Sequence, residues 1–358
     1  SFEKYRKHLI NSYSIQTMVH MANMVMGIAF GTAATVFRKN IYGMKGVYQY
    51  VSLEDLENGV PKEFPVKNDR FAIVGTHHFN DIPGSPIAYW ASPKVREIFK
   101  QNPPLKEFAE PRQGLATSDN NRFLRLWHEV TYQKIGFGCK SSLEAQESKK
   151  KWFPYNKGGE FRKWYGNQEY LVNWENDGKE VKDYAAKLYK SYTRTIKNIS
   201  YYFKEGITWS FVSSAKFGVR YSPVGFIFDV GGSSAFPDKN YLYYLTSFLI
   251  SKVAFHLLQY LNPTLNYQVG NIKALPIVIN ESFKNKIDKL AIRSINYSKT
   301  DWDSFETSWD FKQHPFLTYR GEAKTLEECY ANWADHADKQ FRQLQKNEEE
   351  LNRIFIEL

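Results

Sequence analysis

Apolar residues along this chain change period several times, and the changes mark out its elements. Phe2, Tyr5, Leu9 and Ile10 fall on one face of a helix over residues 1–12. Two β-type runs follow at 14–21 and 32–39, parted by a connection holding Gly27 and Gly31, and a third short strand is expected within 47–53. Helix, strand, turn, strand is a unit that completes the edge of an α/β sheet. From about 60 to 110 the periodicity dissolves, and eight of the 14 prolines fall between Pro61 and Pro111. Proline fixes φ and removes a donor, so this stretch should hold linker, turns and edge structure, one short helix near 92–101, and a domain boundary. Residues 112–280 read as one α+β unit, with helical periodicity at 180–198 and 240–261 and strands at 207–213 and 224–230. The tail from 281 is helical again. Leu326, Tyr330, Trp333, Ala337, Phe341, Leu344, Leu351 and Ile354 share one face of a long helix, opposite a charged face with Glu348, Glu349 and Glu350. That apolar face is read as packing on the body of the protein, with docking of a partner as the alternative.

Charge sharpens this outline. The chain has 358 residues, enough for two or three domains, and a net charge of +10 that is unevenly spread. Residues 121–220 hold 19 Lys/Arg against 10 Asp/Glu, whereas 321–358 hold 5 against 9. A locally basic segment is the footprint of a polyanion binder, or else a solvated surface without a partner. Aromatic residues make up 16% of the chain; most should be core, and some in the basic region could stack on bases or sugars. Cys139 and Cys329 are far apart and suit a reducing compartment rather than a disulfide scaffold. The apolar run 241–261 is interrupted by Thr246, Ser247, Ser251, Lys252, His256 and Gln259, so a buried helix is expected, not a membrane span. No signal peptide is read, and the protein is expected to be cytoplasmic. Both ends fall within helical text, which reads as a piece of a longer polypeptide.

Catalytic motifs are sparse. There is no Walker-type loop, CxxC or HExxH pattern; the adjacent His77 and His78 and the cluster Asp301, Asp303 and Glu306 are read as structural. Residues 102–105 read NPPL, one letter from the NPPY tetrapeptide of amino-methylating enzymes. Leu105 cannot stack on an extruded base, and VREIFKQ before it resembles a helix end rather than the buried strand such a motif follows. No catalytic, cofactor-binding or metal-binding residue is assigned.

The polar segments say more. Arg112, Gln113, Thr117, Asn120, Asn121, Arg122 and Arg125 crowd into one short stretch. Arg, Asn and Gln carry the paired donors and acceptors that read base edges, and Thr suits nearby backbone contacts. Lys149, Lys150, Lys151, Lys157, Arg162 and Lys163 follow, interleaved with Trp152, Tyr155 and Trp164. That pattern fits cations on phosphates and rings that stack. Lys216 and Arg220 are further candidates for phosphate contact.

These segments also carry a family likeness. Residues 108–130 (FAEPRQGLATSDNNRFLRLWHEV), 151–178, 216–237, 262–277, 301–311 and 347–358 together resemble the PglX family, the adenine-specific DNA methyltransferases of BREX phage-defence systems. In that family the S-adenosylmethionine-binding and NPPY motifs precede text similar to SFEKYRKHLI. The resemblance therefore implies an α/β plus α+β chain. Residues 1–58 would be the C-terminal edge of a Rossmann-like methyltransferase sheet, 59–111 a proline-rich linker region, 112–280 a target-recognition domain, and 281–358 a truncated helical region. It implies no cofactor in this chain, with S-adenosylmethionine serving the full-length enzyme. It implies double-stranded DNA as partner, other BREX proteins as further candidates, and no membrane. The expected role is to bind duplex DNA and present an adenine to a catalytic half outside this chain. The alternatives are a module docking other defence components, or a fragment of a single-chain restriction–modification enzyme.

Overall fold

A computed structural model describes residues 2–39, 43–212, 216–262 and 266–358. The architecture is mixed α/β with several small sheets, divided into two compact units, Ser1–Pro104 and Leu105–Leu358.

In the first unit, α1 (Phe2–Ser12) runs directly into β1 (Tyr13–Met21). Strand β2 (Thr32–Lys39) pairs antiparallel with one side of β1, and β3 (Lys45–Val51) pairs parallel with the other. A small hairpin, β4 (Leu56–Glu57) and β5 (Val60–Pro61), precedes β6 (Ala72–Gly75), which completes the order β2-β1-β3-β6. Helix α2 (Pro93–Gln101) begins as its sequence dictates. Ser92 Oγ accepts from Val95 N at 3.2 Å, and Pro93 fills the first turn where its missing N–H costs nothing. The core gathers Ile10, Ile15, Tyr48, Val74, Phe79 and Tyr89, with Tyr48 stacked on Tyr89 at 5.2 Å. The proline-rich stretch thus supplies β5, β6, α2 and the buried rings Phe79, Tyr89 and Phe99 up to Pro104.

The expected face of α1 is only partly used. Ile10 is buried, but Phe2 and Tyr5 stand 86% and 63% exposed. The helix is held instead by Arg6, which donates through Nε to the Ser85 carbonyl at 2.8 Å and through Nη2 to the Gly84 carbonyl at 2.6 Å. His20, near the end of β1, sits edge-on to Tyr50 and 3.1 Å from the Tyr89 hydroxyl. Burial, with the Arg70 charge nearby, pulls its pKa below the usual 6.5. A depressed folded pKa means the unfolded chain binds the proton more readily. The His20 contribution to stability is therefore fully present above pH 6.5 and is lost as pH falls through the lowered value. An NMR titration of the imidazole should show its midpoint below 6.5; a midpoint at or above that value would contradict this packing.

The second unit opens with β7 (Ala109–Arg112), a single-turn α3 (Asn120–Phe123), β8 (Leu124–Leu126) and α4 (Ser142–Glu147). Strands β9 (Trp152–Asn156) and β10 (Tyr170–Asn173) lead to α5 (Glu175–Tyr189), then β11 (Gly206–Trp209), β12 (Val219–Ser222), β13 (Ile227–Phe228) and β14 (Ser234–Pro237). They form two four-stranded sheets, β13-β9-β10-β8 and β12-β11-β14-β7. Phe123, Phe153, Tyr155, Trp174, Phe203 and Phe228 make the aromatic core around the first sheet. The expected strand at 207–213 stops at Trp209, and its last residue, 213, lies outside the described residues, as do 263–265 of the recognised text.

Helices follow: α6 (Leu242–Ile250), α7 (Lys252–Leu261), α8 (Val269–Lys273), α9 (Glu281–Trp302), α10 (Pro315–Thr318) and α11 (Leu326–Glu357). The single helix expected over 240–261 is two, bent by 74° at Ser251. The Ser251 hydroxyl donates to the Phe248 carbonyl at 2.6 Å and accepts from Ala254 N at 3.2 Å, ending one helix and capping the next. Among the described residues no single helix is long and apolar enough to cross a membrane. Helix α11 starts at a capping box of Thr325 and Glu328. Leu351 and Ile354 of its apolar face are buried, while Leu326, Tyr330 and Phe341 are exposed.

Candidate nucleic-acid interface

The segment 112–125 is fixed by close backbone contact. Gly114 lies against β13 so tightly that a Cβ there would meet the Phe228 carbonyl oxygen at 1.8 Å, and Leu115 N donates to that same carbonyl at 2.8 Å. The Tyr155 hydroxyl donates to the Leu115 carbonyl at 2.6 Å from inside the core. Thr117 is buried and donates to Asn120 Oδ1 at 2.6 Å, so it orients Asn120 rather than facing a ligand. Asn120, Asn121 and Arg122 are exposed, and Gln113 and Arg125 are half-buried. Arg122 makes a forked contact to Glu180 at 2.7 and 3.0 Å, Arg112 reaches Glu110 at 2.6 Å, and Arg125 donates to the carbonyls of Asn121 and Leu124.

The second predicted cluster is largely engaged within the protein. Lys151 pairs with Glu175 at 3.7 Å, Lys157 with Asp229 at 2.6 Å, Arg162 with Asp301 at 3.5 Å and Lys163 with Glu348 at 2.6 Å. Lys150 Nζ donates to the Gln133 carbonyl. Lys149 and Lys216 are exposed. The three rings expected to stack are core residues: Tyr155 and Trp164 are fully buried, and Trp152 nearly so. Trp164 Nε1 donates to Glu348 Oε1 at 2.8 Å. Large rings beside strands bury more apolar area inward than a basic surface can offer them outward, which sequence alternation with lysine does not reveal. Arg220 is likewise no surface cation. It is buried on β12, where desolvation and the nearby Arg162 charge pull its pKa down to about 10.

The structure brings a different basic segment to the first cluster. Helical periodicity led to an expected helix over 180–198, but α5 ends at Tyr189, with Lys190 left-handed at φ 65°. The chain then turns back across 112–117. Ala116 N donates to the Thr195 carbonyl at 2.9 Å, and Leu115 bridges Ile196. Asn198 Nδ2 donates to the Gln113 carbonyl at 2.7 Å, and the Arg112 guanidinium lies 5.1 Å from the Tyr201 ring centre. From Tyr184 to Lys204 there is no acidic residue, and Lys187, Lys190, Arg194, Lys197 and Lys204 are all exposed. None has a carboxylate partner among the described residues. Arg194 instead covers the Tyr189 ring at 5.5 Å and Lys204 the Tyr201 ring at 4.9 Å. Tyr192, Ile196, Lys197, Asn198 and Ser200 line a concavity of ≈ 480 Å³. The signal available in the sequence was the charge run itself, hidden by its continuation of a helical period.

The chain is 37% identical over 373 residues to the adenine-specific methyltransferase PglX of Lacticaseibacillus casei (strain Zhang), covering all of this chain and 31% of that protein. The chain resembles the PglX methyltransferases along its whole length. It is also 34% identical over 367 residues to the adenine-specific methyltransferase BrxX of Escherichia coli O9:H4 (strain HS), covering all of this chain and 28% of BrxX. It therefore spans about a third of PglX and of BrxX, corresponding to a C-terminal portion of each. No family model matches. Among solved structures, the type IIL restriction-modification enzyme MmeI in complex with DNA aligns with a TM-score of 0.47 at 12% identity, covering 98% of this chain and 47% of MmeI. The type IIG restriction endonuclease BpuSI aligns at 0.33 and 10% identity, covering 99% and 45%.

Proposed function

We propose that the chain is the DNA-recognition portion of an adenine-specific, exocyclic-amine DNA methyltransferase of a BREX-type defence system. In this reading the second unit grips duplex DNA and presents the target adenine to a catalytic half outside the chain. The observation that carries the reading is the carboxylate-free basic segment 187–204, stitched to the Arg- and Asn-rich segment 112–125. Exposed, unpaired lysines and arginines gain most from phosphates, because bound counter-ions are released when they bind. Gln113, Asn120 and Asn121 offer the amide pairs that read adenine, and Arg112 and Arg122 can exchange Glu110 and Glu180 for guanine edges or phosphates. The adenine itself would be extruded from the stack before transfer. The names of the relatives support the methyltransferase side of this reading.

The first unit is read as the edge of the methyltransferase sheet. Val36 and Phe37 on β2 and Ile73 on β6 are exposed apolar residues on its two edge strands, the kind of edge that further chain covers. We assign S-adenosylmethionine no site in this sheet. Such a cofactor sits where a parallel strand turns through glycines into a helix, but the connection from β1 to its parallel neighbour β3 passes through β2 and one short 3₁₀ turn. No step is therefore assigned to this chain through the methyl donor.

Lysine acetylation footprinting with and without a random-sequence duplex tests the surface. Lys187, Lys190 and Lys197 should be protected, while Lys339 on α11 should not; uniform labelling of all four would reject the reading. Arg220→Met should leave the salt dependence of duplex binding unchanged, since the guanidinium is already buried. A flattened dependence in that variant would return Arg220 to the interface.

A further inference from the structure

A cavity of ≈ 300 Å³ opens in the second unit between residues 132–138, 223–226 and 299–310. That is the lower end of ligand-site sizes and suits one long side chain rather than a cofactor. Four rings form a row along it. Tyr132 to Phe137 and Phe137 to Trp309 are each 5.1 Å between centres, and Trp309 to Phe226 is 5.9 Å. Neighbouring rings are tilted by 34–53°, so faces as well as edges border the space. Pro154 and Pro223 extend the apolar lining, and Tyr132 and Val224 stand exposed at its rim.

Its polar groups are few and partly unpaired. Gln168 is only 3% exposed, and its side-chain amide makes no hydrogen bond among the described residues. Neither amide atom is sealed from solvent, and Gln168 lines this cavity, so the amide meets whatever enters it. A nearly buried amide without partners is costly to the protein alone and is relieved by a ligand that bonds to it. Lys299 of α9 lies 2.6 Å from Asp303 Oδ2 and 3.1 Å from Asp310 Oδ2. One ammonium between two carboxylates leaves a surplus negative charge, and Asp310 Oδ1 has no partner among the described residues. Ring faces, a surplus carboxylate and an unpaired amide oxygen all favour a cation that carries N–H groups. Guanidinium answers them better than ammonium does, because it is planar, weakly hydrated, and stacks on rings while donating in its own plane.

We propose that this cavity takes the arginine side chain of another polypeptide, its guanidinium against the ring row and its N–H groups donating to Gln168 Oε1 and Asp310 Oδ1. The methylene stem lies along Pro154 and Pro223. The exposed rim at Tyr132 and Val224 meets the residues on either side of that arginine, contacts that a free small molecule would leave unmade. This site is independent of the duplex reading and is tested without DNA.

The probe is a fluorescein-labelled glycine–serine peptide with one central arginine, titrated into the chain and followed by anisotropy. The same peptide with citrulline keeps the planar shape and loses the charge, and a third carries lysine. The expected result is saturable binding of the arginine peptide, weakened roughly 10-fold or more by citrulline and also weakened by lysine. The net charge of +10 opposes unspecific attraction of a cationic peptide, so binding of that kind reports a local site. Asp310→Asn should weaken the arginine peptide roughly 3-fold, and Trp309→Leu should weaken it further. Circular dichroism checks folding; the half-exposed Asp310→Asn serves if Trp309→Leu does not fold. Equal binding of the arginine and citrulline peptides, or no saturation at millimolar arginine peptide, overturns the proposal. So does arginine-specific binding that is unchanged in the folded variants. Acetyl-arginine amide binding as tightly as the peptide would overturn a polypeptide as the source.

Discussion

Replacing Lys190, Arg194 and Lys197 together by alanine should lower duplex affinity roughly 10²–10³-fold at 0.1 M salt and flatten the log–log salt dependence by about 2.7 units. The magnitude follows from about 0.9 counter-ions released per phosphate neutralised, over three exposed cations that have no carboxylate to lose. The melting temperature should barely move, because Arg194 and Lys197 are exposed and outside any ion-pair network, and Lys190, the left-handed C-cap of α5, carries a Cβ before and after the change to alanine. Fluorescence anisotropy across a salt series measures the first effect and circular dichroism the second. A control at Lys179, which is paired with Asp183 on α5, should change neither by a comparable amount.

The second large effect runs the other way. Trp164→Ala should destabilise the second unit by about 3–5 kcal/mol, the usual cost of emptying a buried aromatic site. Its indole also donates to Glu348, so the truncation leaves a carboxylate oxygen short of a donor near the Lys163 pair. For a unit of this size the melting temperature should fall by roughly 10 °C. The folded fraction, assayed well below that melting point, should bind duplex with unchanged salt dependence. Weakened binding by a stably folded Trp164→Ala protein would show that the ring reaches the nucleic acid after all.

These two predictions divide what the residues announced from what they concealed. The strands at 14–21 and 32–39 and the long tail helix were legible, because alternation and a sustained apolar face each admit one regular structure. The segment 112–125 was legible as a polar surface, since its Asn and Arg residues have little apolar area to bury. The cluster around 149–164 misled for a physical reason: its lysines and tryptophans alternate, but β9 takes Trp152 and Tyr155 inward, Trp164 is buried beyond it, and carboxylates far along the chain take Lys157 and Lys163. No local pattern foretells that Lys163 meets Glu348. The loop after α5 was hidden by its own periodicity, which continues past the left-handed Lys190 where the helix stops. Ser251 shows the same limit: one hydroxyl serving as end and start breaks a run that reads as continuous.

Phe2 and Tyr5 follow the helical stripe faithfully, yet the body of α1 is secured by Arg6 on two carbonyls. Apolar spacing identifies a helix better than it identifies which residues of that helix are covered.

The central claim is that the second unit holds duplex DNA through the surface made by 112–125 and 187–204. Its most direct test is the salt dependence of duplex binding by the unaltered chain and by the Lys190, Arg194 and Lys197 triple variant, followed by anisotropy. A steep log–log slope in the parent chain that falls by about 2.7 units in the variant is the predicted result. A slope near zero in the parent chain, or the same slope in both proteins, would contradict it.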